Sequence, residues 1–324
     1  MAQNAPDLLD RRIMHELDLD ARISASQLAR KVKKSKETVN FRLNRLLREG
    51  FIKGFYTVFN TSKLGWFYVK HYIKFKDATP KKEAEIFEYL RTRKNVAYLA
   101  SMEGRYDCVL LVMVRQMSMM DDFLSDFIGK YGEFMQEKDM TVFLTTHRLN
   151  AKFLFAGKEG RDWDYPYEIG NYRLEETERK ILDALSSNAR IPILELSKKC
   201  GISPTAAAYR LRKLEREKII LAYVSSPNFE KLGLRFIQVN ISLKDPSARK
   251  KAISYFDSTN KCLFAIEMLG KYDLVAKIHV QSEQELRGII DGFREKFVGK
   301  YADYEVSTIT KEYVVVWGPF GERG

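Results

Sequence analysis

The chain is a tandem duplication, and that fact limits its architecture more than any single motif. Residues 168 apart match through the first part of each copy: Ala21-Arg22-Ile23 with Ala189-Arg190-Ile191, Leu28 with Leu196, Ser35 with Ser203, Arg42-Leu43 with Arg210-Leu211, Lys63-Leu64-Gly65 with Lys231-Leu232-Gly233. After a two-residue deletion the offset becomes 166, and Gly104-Arg105-Tyr106-Asp107 meets Gly270-Lys271-Tyr272-Asp273. A period this long is not that of a solenoid. It is one two-part unit written twice in 324 residues, so both copies should reach the same fold. The expected division is 1–59 and 173–227 as helical units, 60–155 and 228–324 as small sheet domains, and 156–172 as a connector. Gly157, Gly160, Pro166 and Gly170 break periodicity in the connector. Trp163, Tyr165 and Tyr167 imply that it packs on a surface.

Each copy opens with apolar residues spaced by four, Leu9, Ile13 and Leu17 in the first and Ile181 and Leu185 in the second, which is helical spacing. A short second helix follows, Ser26 to Val32 and Leu194 to Cys200, then a tight turn at Lys33-Lys34 or Gly201-Ile202. Ser35 and Ser203 stand where an N-cap belongs, and Pro204 takes the first helical position, where its missing N–H costs nothing. Two short helices about a tight turn, followed by strand-like runs at Phe51 to Phe59 and Ile219 to Val224, predict a winged helix-turn-helix.

Charge says what that motif faces. The chain carries 55 Lys and Arg against 43 Asp and Glu, a net +12, and the excess is concentrated here. From Arg30 to Arg48 eight cations oppose Glu37 alone; from Lys198 to Arg216 six oppose Glu215 alone. Such residues give duplex DNA its salt-dependent affinity, while base edges are read from the exposed start of the third helix. The expected DNA-binding residues are Lys33, Lys34, Ser35, Lys36, Glu37, Thr38, Asn40, Arg42 and Arg45 in copy one, and Ser203, Thr205, Ala208, Tyr209, Arg210, Arg212 and Lys213 in copy two. Asn40 suits a bidentate contact to adenine, and Ala208 only a methyl contact. Arg42 and Arg210 equally suit intramolecular salt bridges.

The second part of each unit alternates at period two, at Phe67 to Phe75 and Phe236 to Leu243. Helix, strand pair, helix and strand follow, giving β-α-β-β-α-β, a ferredoxin-like order, and hence an α+β class with two copies of each domain. The sheet face bearing Tyr68, Tyr72, Val109, Leu111 and Met113 would be bare alone and is expected to pair with a second sheet.

This order, with Leu28 to Gly50 containing Arg-Leu-x-x-Leu and a Gly-x-Tyr-Asp hairpin, resembles the Lrp/AsnC (leucine-responsive, feast/famine) regulators. The likeness covers nearly all of the chain apart from the connector and the termini. It implies transcription regulation, a homo-oligomer formed through the sheet domains, and an amino-acid or anionic effector near Gly104, Arg105, Tyr106, Asp107, Gly270, Lys271, Tyr272 and Asp273. Typical members have one unit per chain and often an acidic residue where Arg105 and Lys271 stand. The competing reading of the hairpin is a plain turn, glycine supplying positive φ.

Other readings are weaker. Siroheme decarboxylases resemble the same architecture, but their expected His- and Arg-bearing stretch is here Val96-Ala97-Tyr98-Leu99-Ala100-Ser101, without histidine. A partner-sequestering or RNA-binding protein is the remaining alternative. Cys108, Cys200 and Cys262 lack metal-ligand spacing, and the four histidines are scattered. No run approaches the roughly 18 apolar residues of a membrane span. The expectation is a cytoplasmic, nucleoid-associated protein without cofactor, metal, membrane partner or enzymatic activity.

Overall fold

The computed structural model describes residues 5–149, 163–316 and 318–320. Part of the connector, with Gly157 and Gly160, lies outside the described residues.

Each copy begins with three helices: α1 (Leu8–Leu19), α2 (Ala25–Val32) and α3 (Lys36–Arg48) in the first, α6 (Glu176–Ser187), α7 (Ile193–Cys200) and α8 (Pro204–Arg216) in the second. Their apolar stripes, Ile13, Leu17, Leu28, Val39 and Leu46 against Ile181, Leu185, Leu196, Ala207 and Leu214, are buried. The strands that follow, β1 (Ile52–Phe59) and β7 (Ile220–Pro227), do not close a wing within their own units. They pair antiparallel with each other, Tyr56 opposite Val224. One ribbon therefore joins both helical units. Each unit also packs on the other copy: the first core includes Leu234 and Leu263, and the second includes Phe59 and Leu64.

The remaining strands of copy one are β2 (Phe67–Phe75), β3 (Val96–Glu103), β4 (Cys108–Val114) and β5 (Met135–Arg148), with α4 (Pro80–Arg91) and α5 (Met117–Tyr131) between them. The connector supplies β6 (Trp163–Pro166). Copy two supplies β8 (Arg235–Leu243), β9 (Cys262–Gly270), β10 (Leu274–Val280) and β11 (Tyr301–Val315), with α9 (Arg249–Ser258) and α10 (Glu283–Lys296). In each copy the spatial order is fourth, first, third, second strand, the ferredoxin-like arrangement.

The two sheets are one. β5 begins against β2 and ends against β9; β11 begins against β8 and ends against β3. With these crossings eight strands close on themselves as β2-β4-β3-β11-β8-β10-β9-β5, and β6 adds to β5 where β2 stops. Closure removes the unpaired edges that an open sheet exposes. The apolar face expected to need a partner finds it in the same chain: Tyr72, Tyr98, Met102, Val109 and Ile309 form one interior cluster, and Tyr68, Met113, Ile266 and Val275 another. The helices lie outside, α4 and α5 through Ile86, Leu90 and Phe127, α9 and α10 through Phe256 and Phe293.

Equivalent residues meet across a pseudo-twofold axis. Lys70 Nζ donates to Gln238 Oε1 at 2.6 Å and Tyr72 OH to Asn240 Oδ1 at 3.1 Å. Arg22 donates to the carbonyls of Ala189 (2.7 Å) and Ile191 (3.0 Å), and Arg190 reciprocates to those of Ala21 and Ile23. This is isologous contact, made inside one chain.

Candidate nucleic-acid interface

The third helices α3 and α8 start as their sequences require. Ser35 Oγ accepts from Thr38 N and Ser203 Oγ from Ala206 N, each at 3.2 Å. Both serines are thus occupied as caps. The preceding turns are left-handed at one residue, Gly201 (φ 66°) in copy two and Lys33 (φ 54°) in copy one. Glycine adopts that region freely, whereas a lysine there is strained by roughly 1 kcal/mol.

The cations at the motif divide into two groups. Lys33, Lys34, Lys36 and Arg48 in copy one and Arg212 in copy two are exposed. Among the described residues none of these five joins an ion pair. Glu37 and Asn40 are also exposed on α3, Thr205 and Tyr209 on α8, while Thr38 and Ala208 are half-buried. The second group is turned inward along the same helices. Arg42 pairs with Asp7 at 2.6 Å and also reaches Asp10, and Arg45 pairs with Asp10. Arg210 pairs with Glu175 at 2.5 Å, and Lys213 with Glu178 at 2.8 Å and Glu175 at 3.3 Å. Hydrogen bonds from Arg210 and Lys213 hold the Glu175 carboxyl below its ordinary range. These four cations brace the third helix against the first, the salt-bridge alternative the sequence left open for Arg42 and Arg210 but not for Arg45 and Lys213, both expected at DNA.

One exposed position escaped the sequence reading. Phe41 stands in the register of Tyr209, and both rings point outward, 64% and 60% exposed. A large aromatic is kept bare at one register in both copies, and the signal was the 168-residue offset itself.

The far ends of the helices are fixed by the opposite copy. Lys231 Nζ donates to the carbonyl of Glu49, the C-cap of α3, at 2.7 Å; Lys63 Nζ donates to that of Glu217, the C-cap of α8, at 2.8 Å. A cation at a helix C-terminus satisfies an orphan carbonyl and opposes the negative end of the dipole.

The hairpin residues gather elsewhere, at one end of the barrel. Tyr106 and Tyr272 are buried with their hydroxyls 3.2 Å apart. Tyr106 donates to Asp139 at 2.5 Å and Tyr272 to Glu305. Arg105 pairs with Glu137 at 2.5 Å and Glu305 at 3.1 Å, and Lys271 with Asp139 at 2.7 Å. Asp107 accepts from Phe75 N at 2.8 Å and Asp273 from Leu243 N at 2.7 Å, which pins each hairpin to its own first strand. Gly104 (φ 143°) and Gly270 (φ 132°) pass so close to the other copy that a Cβ would lie 2.7 Å from Ser307 Oγ or from the Met140 carbonyl. The eight residues expected around an effector are thus engaged with one another and with strands.

A family model described as winged helix-turn-helix DNA-binding matches residues 6–53 and 174–220. An HTH-type transcriptional regulator of Pyrococcus horikoshii is 30% identical over 126 residues, 38% of this chain and 84% of that protein. The proline dehydrogenase transcriptional activator of Rhodobacter capsulatus is 32% identical over 122 residues, 36% of this chain and 78% of that protein. This chain belongs to the Lrp/AsnC family. Each relative spans about one unit, so this Lrp/AsnC member holds two in one polypeptide. Over the whole chain its fold is similar to that of the siroheme decarboxylase NirDL, with a TM-score of 0.66 and 14% identity, covering 96% of this chain and 94% of that one. That likeness is one of fold. Among the described residues of the Lrp/AsnC chain no helix is long and apolar enough to cross a membrane, and no cluster of three His, Cys, Asp or Glu could hold a metal.

Proposed function

We propose that this Lrp/AsnC protein is a sequence-specific transcription regulator in which one chain places two unlike recognition helices in the major groove. The observation that carries the reading is the unpaired cationic edge, Lys33, Lys34 and Lys36, at the exposed start of a helix capped at both ends. Lysines not committed to a carboxylate are free to displace counterions from phosphates. Behind them Asn40 and Phe41 face outward, able to reach an adenine edge and a thymine methyl. At the matching positions α8 offers Ala208 and Tyr209, a different reading surface. Two unlike helices related by a pseudo-twofold axis suit an imperfect inverted repeat.

Binding-site selection from random duplexes tests this. The expected product is a pair of half-sites with different consensus bases; perfectly symmetric sites would contradict it. Within the same assay Asn40→Ala should shift base preference at one position of one half-site, at about 1–3 kcal/mol of lost discrimination. Lys36→Ala should weaken all sequences alike and reduce the salt slope by about one. Equal loss on every sequence from both changes would refute the assignment of Asn40 to base reading. The relative with a printed role is a transcriptional activator, and the stretch from Val96 to Ser101 carries no histidine, which supports the regulator reading over a decarboxylase one.

A further inference from the structure

At the barrel end opposite the hairpins, a cavity of about 360 Å³ lies between the interior and the β1–β7 ribbon. Tyr56, Tyr98, Phe236, Phe264 and Lys277 line it. A smaller chamber of about 60 Å³ shares Tyr98, Phe264 and Lys277 with it and adds Lys70. The larger volume falls in the range of small-molecule sites, which are mostly apolar with a few convergent polar groups.

The charges of this space do not balance. Asp18 is taken by Arg148 at 2.7 Å, and Glu312 lies 3.7 Å from Lys53. Among the described residues neither Lys70 nor Lys277 joins an ion pair. Lys70, 2% exposed, donates to the neutral amide of Gln238. Lys277 Nζ lies over the rings of Tyr98 (4.8 Å) and Phe236 (5.6 Å). A buried ammonium short of counter-charge is costly, and burial pushes both lysines below their ordinary range, an effect that Lys277 adds to at Lys70 and that the Glu312 carboxylate partly offsets at Lys277. Packing does not demand them. Gln238 stands at the position of Lys70 in the other copy, and Leu111 at that of Lys277, and both fill the barrel wall without charge. Each copy thus contributes one lysine, at different positions, to the same apolar chamber.

We propose that this cavity binds a small, flat, apolar molecule bearing a carboxylate, the ring held among Tyr98, Phe236 and Phe264 and the anion received by Lys277 and Lys70. Glu312 is the one carboxylate that acts on Lys277, and it is shared with Lys53 at 3.7 Å, so a bound carboxylate adds counter-charge where two lysines have little, and the aromatic walls exclude water from the pair. The ribbon forming one wall ties the two helical units, so occupancy bears on the spacing of the recognition helices, a consequence that rests on the DNA-binding reading.

Calorimetry on the full chain without DNA separates the site from that reading. The probes are naphthalene-2-carboxylate and its neutral isostere naphthalene-2-carboxamide. The carboxylate should bind once per chain, and the carboxamide about tenfold or more weaker, roughly 1.4 kcal/mol. Lys277→Leu, which installs the residue of copy one, and Lys70→Gln, which installs that of copy two, should each lose about tenfold for the carboxylate and leave the carboxamide unchanged. Circular dichroism confirms that each variant is folded; should Lys70→Gln not fold, Lys277→Leu decides alone. No saturable carboxylate binding at about millimolar concentration, the weak end of specific affinities, overturns the proposal. So does equal binding of the two probes, or wild-type affinity in Lys277→Leu.

Discussion

Lys33 holds the left-handed turn between α2 and α3, where the second copy has Gly201. A backbone position served better by glycine but occupied by lysine trades stability for charge. Lys33→Gly should raise unfolding stability by up to about 1 kcal/mol and weaken DNA binding in a salt-dependent way; loss of stability would show that the side chain packs. His71 offers a test of the core. Burial, with Lys138 nearby, lowers it to about 4, below the roughly 6.5 of an unfolded chain. The unfolded state therefore takes the proton first. Stability is full above pH 6.5 and falls as pH drops toward 4, by about 3 kcal/mol for a shift of this size. His71→Leu should flatten urea midpoints measured between pH 7 and 4.5; curves parallel to wild type would exclude His71 as the source.

Among the elements, the third helices are the best example of what could be read in advance and what could not. Ser35, Ser203 and Pro204 mark helix starts through local hydrogen bonding, so the sequence alone located α3 and α8. The inward set was legible in part, because Asp7 and Asp10 recur as Glu175 and Glu178 at the same offset as Arg42 and Arg45 recur as Arg210 and Lys213. The partner of β1 was not legible. Period-two alternation sets which face is buried, but not that the pairing strand comes from the other copy. The swapped caps share this origin and give a prediction at their own scale. Lys231→Met should cost about 0.5–1 kcal/mol and weaken protection of the half-site read by α3, which belongs to the opposite copy. Lys63→Met should do the same for α8, as read by footprinting each half-site. Weakening of the half-site read by the mutated copy's own helix would contradict the swapped arrangement.

At the scale of the molecule, the helical core of each copy takes in residues of the other, Leu234 and Leu263 in the first and Phe59 and Leu64 in the second, and eight strands close only when both copies contribute. Residues 1–149 expressed alone should therefore lack a cooperative unfolding transition, as should 163–324, whereas the two together should recombine one to one. A folded monomeric half, seen by calorimetry and sedimentation, would refute this. The division into separate sheet and helical domains suggested by sequence spacing describes the order along the chain, and cores that form between copies cross those boundaries.

Lys70 donates to Gln238, the residue at its own position in the other copy. Were two identical first halves to assemble in place of the fused chain, every residue on that axis would confront itself, and Lys70 would meet a second lysine in a dry interior. Two ammonium groups there repel one another and have no amide to satisfy them. The Lys70–Gln238 contact is one that two identical first halves could not make. Having diverged at its centre, the duplicated sequence can no longer be divided into two interchangeable parts.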